Sequence, residues 1–155
     1  IEDMKFIPNS VEGLKKLSQS GYKLIILTNQ SGIRRGYYPK EDYLAFRQEM
    51  HRRLKEQGVL ITAEYFCPHI PEDNCNCRKP KTGMLEQAQR DFDFDLEECW
   101  IIGDSVVDIQ AGTKAGCKNI NVLTGKEKNT LPYVPDFIAQ DLIQATEYIL
   151  SYNNT

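Results

Sequence analysis

Three cysteines and a histidine fall within eleven residues of this chain: Cys67, His69, Cys75 and Cys77, followed directly by Arg78 and Lys79. Thiolate and neutral imidazole are the ligands that Zn2+ prefers, and four of them close a tetrahedral structural site. The spacing C-x-H…C-x-C is not that of a zinc finger. Ligands two residues apart point the same way only where the backbone is extended or knuckled, so the pattern predicts Zn2+ on a loop. Such a loop would hold the two cations at its end, Arg78 and Lys79, in a fixed place. Redox thiols or a disulfide are the other readings of the same residues. The odd count of five cysteines and the histidine among the loop positions favour a metal in a reducing compartment.

Two further stretches carry groups that suit anions and metals. Thr28-Asn29-Gln30-Ser31-Gly32 offers hydroxyls, carboxamides and a glycine-relaxed backbone, which fit phosphate oxygens or, equally, an ordinary turn. Gly103-Asp104-Ser105 places a carboxylate where Mg2+ would take it, since Mg2+ uses few carboxylates and keeps waters and phosphate oxygens. Asp108, four residues on, lies where it would orient that carboxylate's surroundings. Alternatively, Asp104 caps the helix that begins at Val106. Lys79 suits a phosphoryl charge and Arg78 a bidentate grip on an oxyanion, unless both are solvated surface charges. His51, among Arg52, Arg53 and Lys55, reads as a solvated helix residue; Cys99 and Cys117 read as buried thiols and Trp100 as core.

The elements that would position these groups alternate. Asn9 or Ser10 caps a helix carrying Val11, Leu14 and Leu17, closed by Gly21. Tyr22–Leu27 is a buried strand. Pro39 opens a long helix with Tyr43, Phe46, Met50 and Leu54 on one face, ended by Gly58. Ile61–Phe66 is a strand, Gly83–Phe92 a helix, Cys99–Ile102 a strand, and Val106–Ala115 a helix stopped at Gly116. Asn119–Leu123 and Phe137–Ala139 are strands before a last helix over Asp141–Leu150. Strands separated by helices predict an α/β fold, a Rossmann-like three-layer sandwich whose parallel sheet has helices on both faces and a zinc-binding loop. Ligands in such sheets bind beyond the carboxyl ends of the strands, where all three polar stretches fall.

The chain has 155 residues, enough for one domain spanning 1–155, with 41% apolar and 26% charged residues. No apolar run approaches the roughly 20 residues that cross a membrane, and no secretory signal is visible. A net charge of −3 without a basic stripe argues against nucleic acid as a partner. A cytoplasmic monomer acting on a small molecule is expected.

Together the motifs resemble the haloacid dehalogenase (HAD) superfamily of phosphohydrolases. The resemblance is to the branch holding heptose-bisphosphate and histidinol-phosphate phosphatases. Thr28-Asn29-Gln30-Ser31-Gly32-Ile33-x-Arg35-Gly36 matches its second motif. Cys67-x-His69…Cys75-x-Cys77-Arg78-Lys79-Pro80 matches the zinc loop and third motif, and Gly103-Asp104-Ser105-x-x-Asp108 the fourth. The resemblance implies a Mg2+-dependent phosphatase acting on a small phosphorylated metabolite, with Thr28 and Lys79 catalytic and Asn29, Gln30, Ser31, Arg78 and Ser105 lining the substrate. It further implies Asp104 on Mg2+ with Asp108 behind it, and structural Zn2+ on Cys67, His69, Cys75 and Cys77. Arg78-Lys79-Pro80-x-x-Gly83-Met84 favours the heptose branch, hence the 7-phosphate of D-glycero-D-manno-heptose 1,7-bisphosphate, over histidinol phosphate.

The departure lies at the start. Family members begin with a strand ending D-x-D-G-T, whose first aspartate forms an aspartyl-phosphate and whose second is the general acid/base. The present sequence contains no such motif. The resemblance therefore implies that about 25 residues of the family layout are missing, that the domain is N-terminally incomplete, and that the 155 residues turn over no substrate. It also implies a gap in the sheet. A pseudoenzyme is the competing explanation. A catalytically inactive zinc-loop module binding protein or RNA is the alternative of another class, though it lacks a basic patch interleaved with aromatics. A response-regulator-like switch would leave the zinc loop unexplained.

Overall fold

Residues 1–125, 127 and 129–152 are described by the computed structural model. Helix and strand alternate as α1 (Ser10–Gln19), β1 (Leu24–Asn29), α2 (Lys40–Glu56), β2 (Ile61–Cys67), α3 (Gly83–Phe92), β3 (Trp100–Gly103), α4 (Val106–Ala115), β4 (Lys118–Val122), β5 (Phe137–Ala139) and α5 (Leu142–Tyr152). Short 3-10 turns at Pro71–Asp73 and Leu96–Glu98 were not foreseen from the sequence. Every strand pairing is parallel.

Strand alternation sends successive side chains to opposite faces. In β3 and β4, Trp100, Ile102, Ile120 and Val122 enter an apolar cluster with Leu17 of α1, Ala139 of β5 and Ala145 and Ile149 of α5. The intervening Ile101 and Asn119 meet Gly112 of α4. In β2, Glu64 and Phe66 face Tyr43 of α2, and Tyr65 bonds Asp91 of α3 at 2.5 Å on the other side. Helices therefore cover both faces, as the three-layer architecture requires.

The strands form two sheets rather than one, β1-β2 and β3-β4-β5. The second edge of β1 and that of β3 pair with no strand among the described residues, which is the gap expected from the sequence. A shared roof spans the halves: α1 packs on α5, and Leu24 of β1 joins the cluster built on the larger sheet.

Several local expectations are corrected. β1 extends through Thr28 and Asn29, which are ladder partners of Phe66 and Cys67 rather than turn residues. The Asn9 side chain does not cap α1; it takes a left-handed backbone conformation and donates to Asp141 at 2.9 Å. Phe46 is exposed, lying about 60° off the line through Tyr43, Met50 and Leu54. His51 is not solvated: its Nε2 lies 2.6 Å from the buried Glu64 carboxylate. Cys117 is buried as expected, whereas Cys99 is half-buried and donates to the Asp95 carbonyl.

Candidate functional site

Cys67 is the last residue of β2, so the strand itself fixes the first loop ligand. Its Sγ lies 3.6 Å from Cys75 Sγ and 3.5 Å from His69 Nδ1, and His69 Nδ1 is 3.3 Å from Cys77 Sγ. All four ligand atoms lie within 4.8 Å of one another. A Zn–S bond of about 2.3 Å in a tetrahedron gives ligand–ligand edges of about 3.8 Å, so the four residues fit Zn2+. Burial pushes the Cys67 thiol up to about 12. For Cys75 burial acts in the same direction but is outweighed by backbone N–H groups of Arg78 and Cys77, which hold it down at about 6. N–H groups aimed at sulfur are the surroundings of a metal-bound thiolate.

The loop is stitched to its neighbours. Gly83 N donates to Asn76 O at 3.0 Å, closing it onto α3, and Gln30 N donates to the Cys67 carbonyl at 2.7 Å, extending the β1–β2 ladder past the strand end. Asn29 makes a two-point clamp: its Nδ2 donates to Lys79 O at 3.1 Å and its Oδ1 accepts from Lys79 N at 3.0 Å. The sequence expectation had Asn29 lining the substrate; its carboxamide grips the backbone of the residue that carries the cation.

Lys79 reaches across the gap between the half-sheets. Its Nζ donates to the Leu27 carbonyl at 2.8 Å and to Asp108 Oδ1 at 2.5 Å. Both ends of the ion pair are largely shielded, at 16% and 10% exposure. Asp108 Oδ2 accepts from Ser105 N at 3.2 Å and Ser105 Oγ at 3.1 Å, so Ser105 and Asp108 cap α4 together. The reading of Asp104 as that cap is overturned, because the cap position is filled by its neighbour. Asp104 is left exposed at the strand end, and its carboxylate takes no hydrogen bond among the described residues. A carboxylate without a protein partner at a strand end suits Mg2+, which coordinates few protein oxygens. The loop after β4 closes over it: a Cβ on Gly125 would come within 2.2 Å of Asp104 Oδ2.

Asn29, Lys79, Asp108 and Ser105 thus form one hydrogen-bonded set, and Thr28, Gln30 and Tyr38 a second, carried on the same end of β1. Thr28 Oγ1 accepts from Gln30 Nε2 at 2.9 Å. Ser31 contributes its carbonyl to Arg35 N within the following turn. Arg78 is half-buried, its Nη1 a long 3.4 Å from the His69 carbonyl. Sequence reasoning missed Tyr38, Gly125 and the Lys79–Asp108 pair. A pairing across 29 residues leaves no periodic trace.

A family model described as HAD-hydrolase-like matches residues 76–145. A D-glycero-beta-D-manno-heptose-1,7-bisphosphate 7-phosphatase of Pseudomonas aeruginosa is 44% identical over 129 residues, covering 81% of this chain and 70% of that protein. The enzyme of the same name from Neisseria meningitidis is 38% identical over 153 residues, covering 95% and 82%. The crystal structure of D,D-heptose 1,7-bisphosphate phosphatase from B. bronchiseptica, complexed with magnesium and phosphate, superposes with a TM-score of 0.88 at 35% identity, covering 94% of this chain and 84% of that one.

Proposed function

This chain belongs to the HAD-like hydrolases, in the family of the D-glycero-beta-D-manno-heptose-1,7-bisphosphate 7-phosphatases, and on that premise we propose that its site binds the phosphate monoester of a phosphorylated sugar for hydrolysis. The substrate supported best is the heptose 1,7-bisphosphate that relatives at 38–44% identity are named for, with the 7-phosphate in the site. The observation that carries it is Lys79. Its ammonium is pinned between the carbonyl of Leu27 in β1, the residue before Thr28, and the carboxylate of Asp108 in α4, four residues after Asp104.

Each side chain has a separate task in the proposed reaction. Lys79 offsets negative charge on the transferring phosphoryl oxygens, and its shielding strengthens that attraction over its value in water. Thr28 donates its hydroxyl proton to another of those oxygens. Asn29 holds the Lys79 backbone, so that charge arrives pre-positioned rather than by reorganisation. Arg78 and Ser31 face the rest of the substrate, and Ser105 keeps Asp108 aimed at Lys79. Asp104 would hold Mg2+, which when bound supplies Lewis-acid neutralisation of phosphoryl charge. Cys67, His69, Cys75 and Cys77 would hold Zn2+, which fixes the loop and contributes no chemistry to the phosphoryl group. No helix among the described residues is long and apolar enough to cross a membrane. The five cysteines are free, which suits a reducing cytoplasm, and the protein is proposed to act there as a monomer.

The carboxylate nucleophile of the family mechanism has no counterpart among the 155 residues, so this polypeptide by itself is proposed to bind phosphate without turning substrate over. The test is a fusion carrying a relative's D-x-D-G-T strand ahead of Ile1, assayed with Mg2+. Heptose bisphosphate should release phosphate faster than histidinol phosphate, and Lys79→Ala should lower kcat/KM at least about 1000-fold. Equal rates on both substrates would remove the sugar assignment. Phosphate release from the unfused chain would overturn the division between binding and turnover.

A further inference from the structure

Tyr38 lies outside every motif, yet it is joined to the proposed phosphate site by two hydrogen bonds in series. Its hydroxyl donates to Gln30 Oε1 at 2.6 Å, and Gln30 Nε2 donates to Thr28 Oγ1 at 2.9 Å. Its ring is held over the turn: a Cβ on Gly32 would come within 2.3 Å of Tyr38 Cε1, so only glycine at 32 admits the ring in this place. The Gln30 backbone is fixed as well, through its N–H to Cys67 O. All three members of the series are part-buried.

The direction of this series decides what Thr28 can do. A hydroxyl has one proton to donate. While Gln30 Nε2 points at Thr28 Oγ1, that oxygen is an acceptor, and its own proton is free to point into the site. No acceptor for it occurs among the described residues. With the carboxamide turned over, Thr28 would spend its proton on Gln30 Oε1 and present only lone pairs to a phosphate, which repel it. The amide of Gln30 is symmetric in shape and has no preference of its own. The phenol is a stronger donor than acceptor, so its bond to Oε1 favours this orientation over the flipped one, in which its oxygen would have to accept from Nε2.

We propose that Tyr38 is a positioning residue, which orients the Gln30 carboxamide and thereby directs the Thr28 hydroxyl proton toward a bound phosphate. This rests on the assignment of Thr28 to the phosphoryl group made above, and deepens it. The Phe variant removes the phenol oxygen alone and keeps the ring over Gly32.

The experiment is a double-mutant cycle on the full chain, titrated with inorganic phosphate in the presence of Mg2+. Thr28→Val should weaken phosphate binding about 10-fold or more, and Thr28→Ser should recover most of it. Tyr38→Phe should weaken it about 3- to 10-fold by restoring the unproductive orientation. In the Thr28→Val background Tyr38→Phe should have no further effect, since its only route is through that hydroxyl. Melting temperature should move by less than about 3 °C in Tyr38→Phe. A second readout needs no phosphate: the 15N side-chain amide signals of Gln30 should show one slowly exchanging proton in the parent and lose it in Tyr38→Phe. Unchanged Gln30 signals, or additive effects in the cycle, overturn the positioning role. Normal binding by Thr28→Val, with Gln30 signals that do respond to Tyr38→Phe, overturns instead the assignment of Thr28 to phosphate, and the series then has no bearing on the anion.

Discussion

The two half-sheets are held by different physics. In the larger, β4 is buried along nearly its whole length, and its Ile120 and Val122 enter a single apolar cluster with residues of α1 and α5. In the smaller, no residue of β1 is fully buried. Its helices bury Leu54, Met84, Leu85 and Ala88, and polar links are added to these: the Asn29 clamp on Lys79, the buried Glu64 between Tyr43 and His51, and four metal-type ligands starting at the end of β2. The contrast lies in the smaller half's use of metal-type ligands and side-chain bonds in addition to its apolar contacts.

If so, removing the metal should break one half and spare the other. A chelator, or Cys77→Ser, should abolish phosphate binding and release the protection of β1 and β2 amides from hydrogen exchange, while β4 amides keep theirs. Structural Zn2+ carries apparent binding energies of about 10–16 kcal/mol in small domains, so no other perturbation should have a larger effect. Equal loss of protection in both sheets would show a single cooperative unit instead. The reverse experiment is Ile149→Ala, which empties a fully buried site in the larger half. It should cost about 2–5 kcal/mol in denaturant unfolding, yet leave phosphate affinity unchanged under conditions where the protein stays folded.

The same contrast explains what the sequence made legible. Apolar runs and helical spacing marked every long element to within a few residues, because burial in the larger half imposes period on the chain. The gap in the sheet was legible too, from a motif that the resemblance required and the sequence did not contain. The four metal-type ligands could be read because their residue types are rare and close together. Less could be read where a side chain's partner is chosen in three dimensions. Asn29 and Gln30 were recognised as site residues, yet their partners, Lys79 backbone and the Thr28–Tyr38 series, depend on strand ends meeting. His51 looked solvated among Arg52, Arg53 and Lys55 because its carboxylate partner sits on another element, 13 residues away. Phe46 fitted the helical spacing, yet it lies at the margin of the stripe and is exposed.

The finest distinction between the halves concerns Glu64. Its side chain is 2% exposed, and it accepts from the Tyr43 hydroxyl and lies against His51 Nε2. Burial, together with the bond to Glu64, raises the Tyr43 phenol well above its ordinary value of 10.0. A raised phenol stabilises the fold fully below that ordinary value, and the contribution is lost as pH climbs toward the folded-state value, because the unfolded chain ionises first. Tyr43→Phe leaves one acceptor position of a buried carboxylate unfilled, at a cost of about 1–3 kcal/mol near neutral pH. The variant has no phenol to ionise, so above about pH 10 the parent loses up to about 1.4 kcal/mol per pH unit that the variant does not. Urea unfolding followed from pH 7 to pH 11 should therefore show two stability curves that start apart and draw together. Parallel curves would mean that Tyr43 supports α2 through its ring contact with Phe66 alone, and the smaller half would then owe more to packing than its polar bonds suggest.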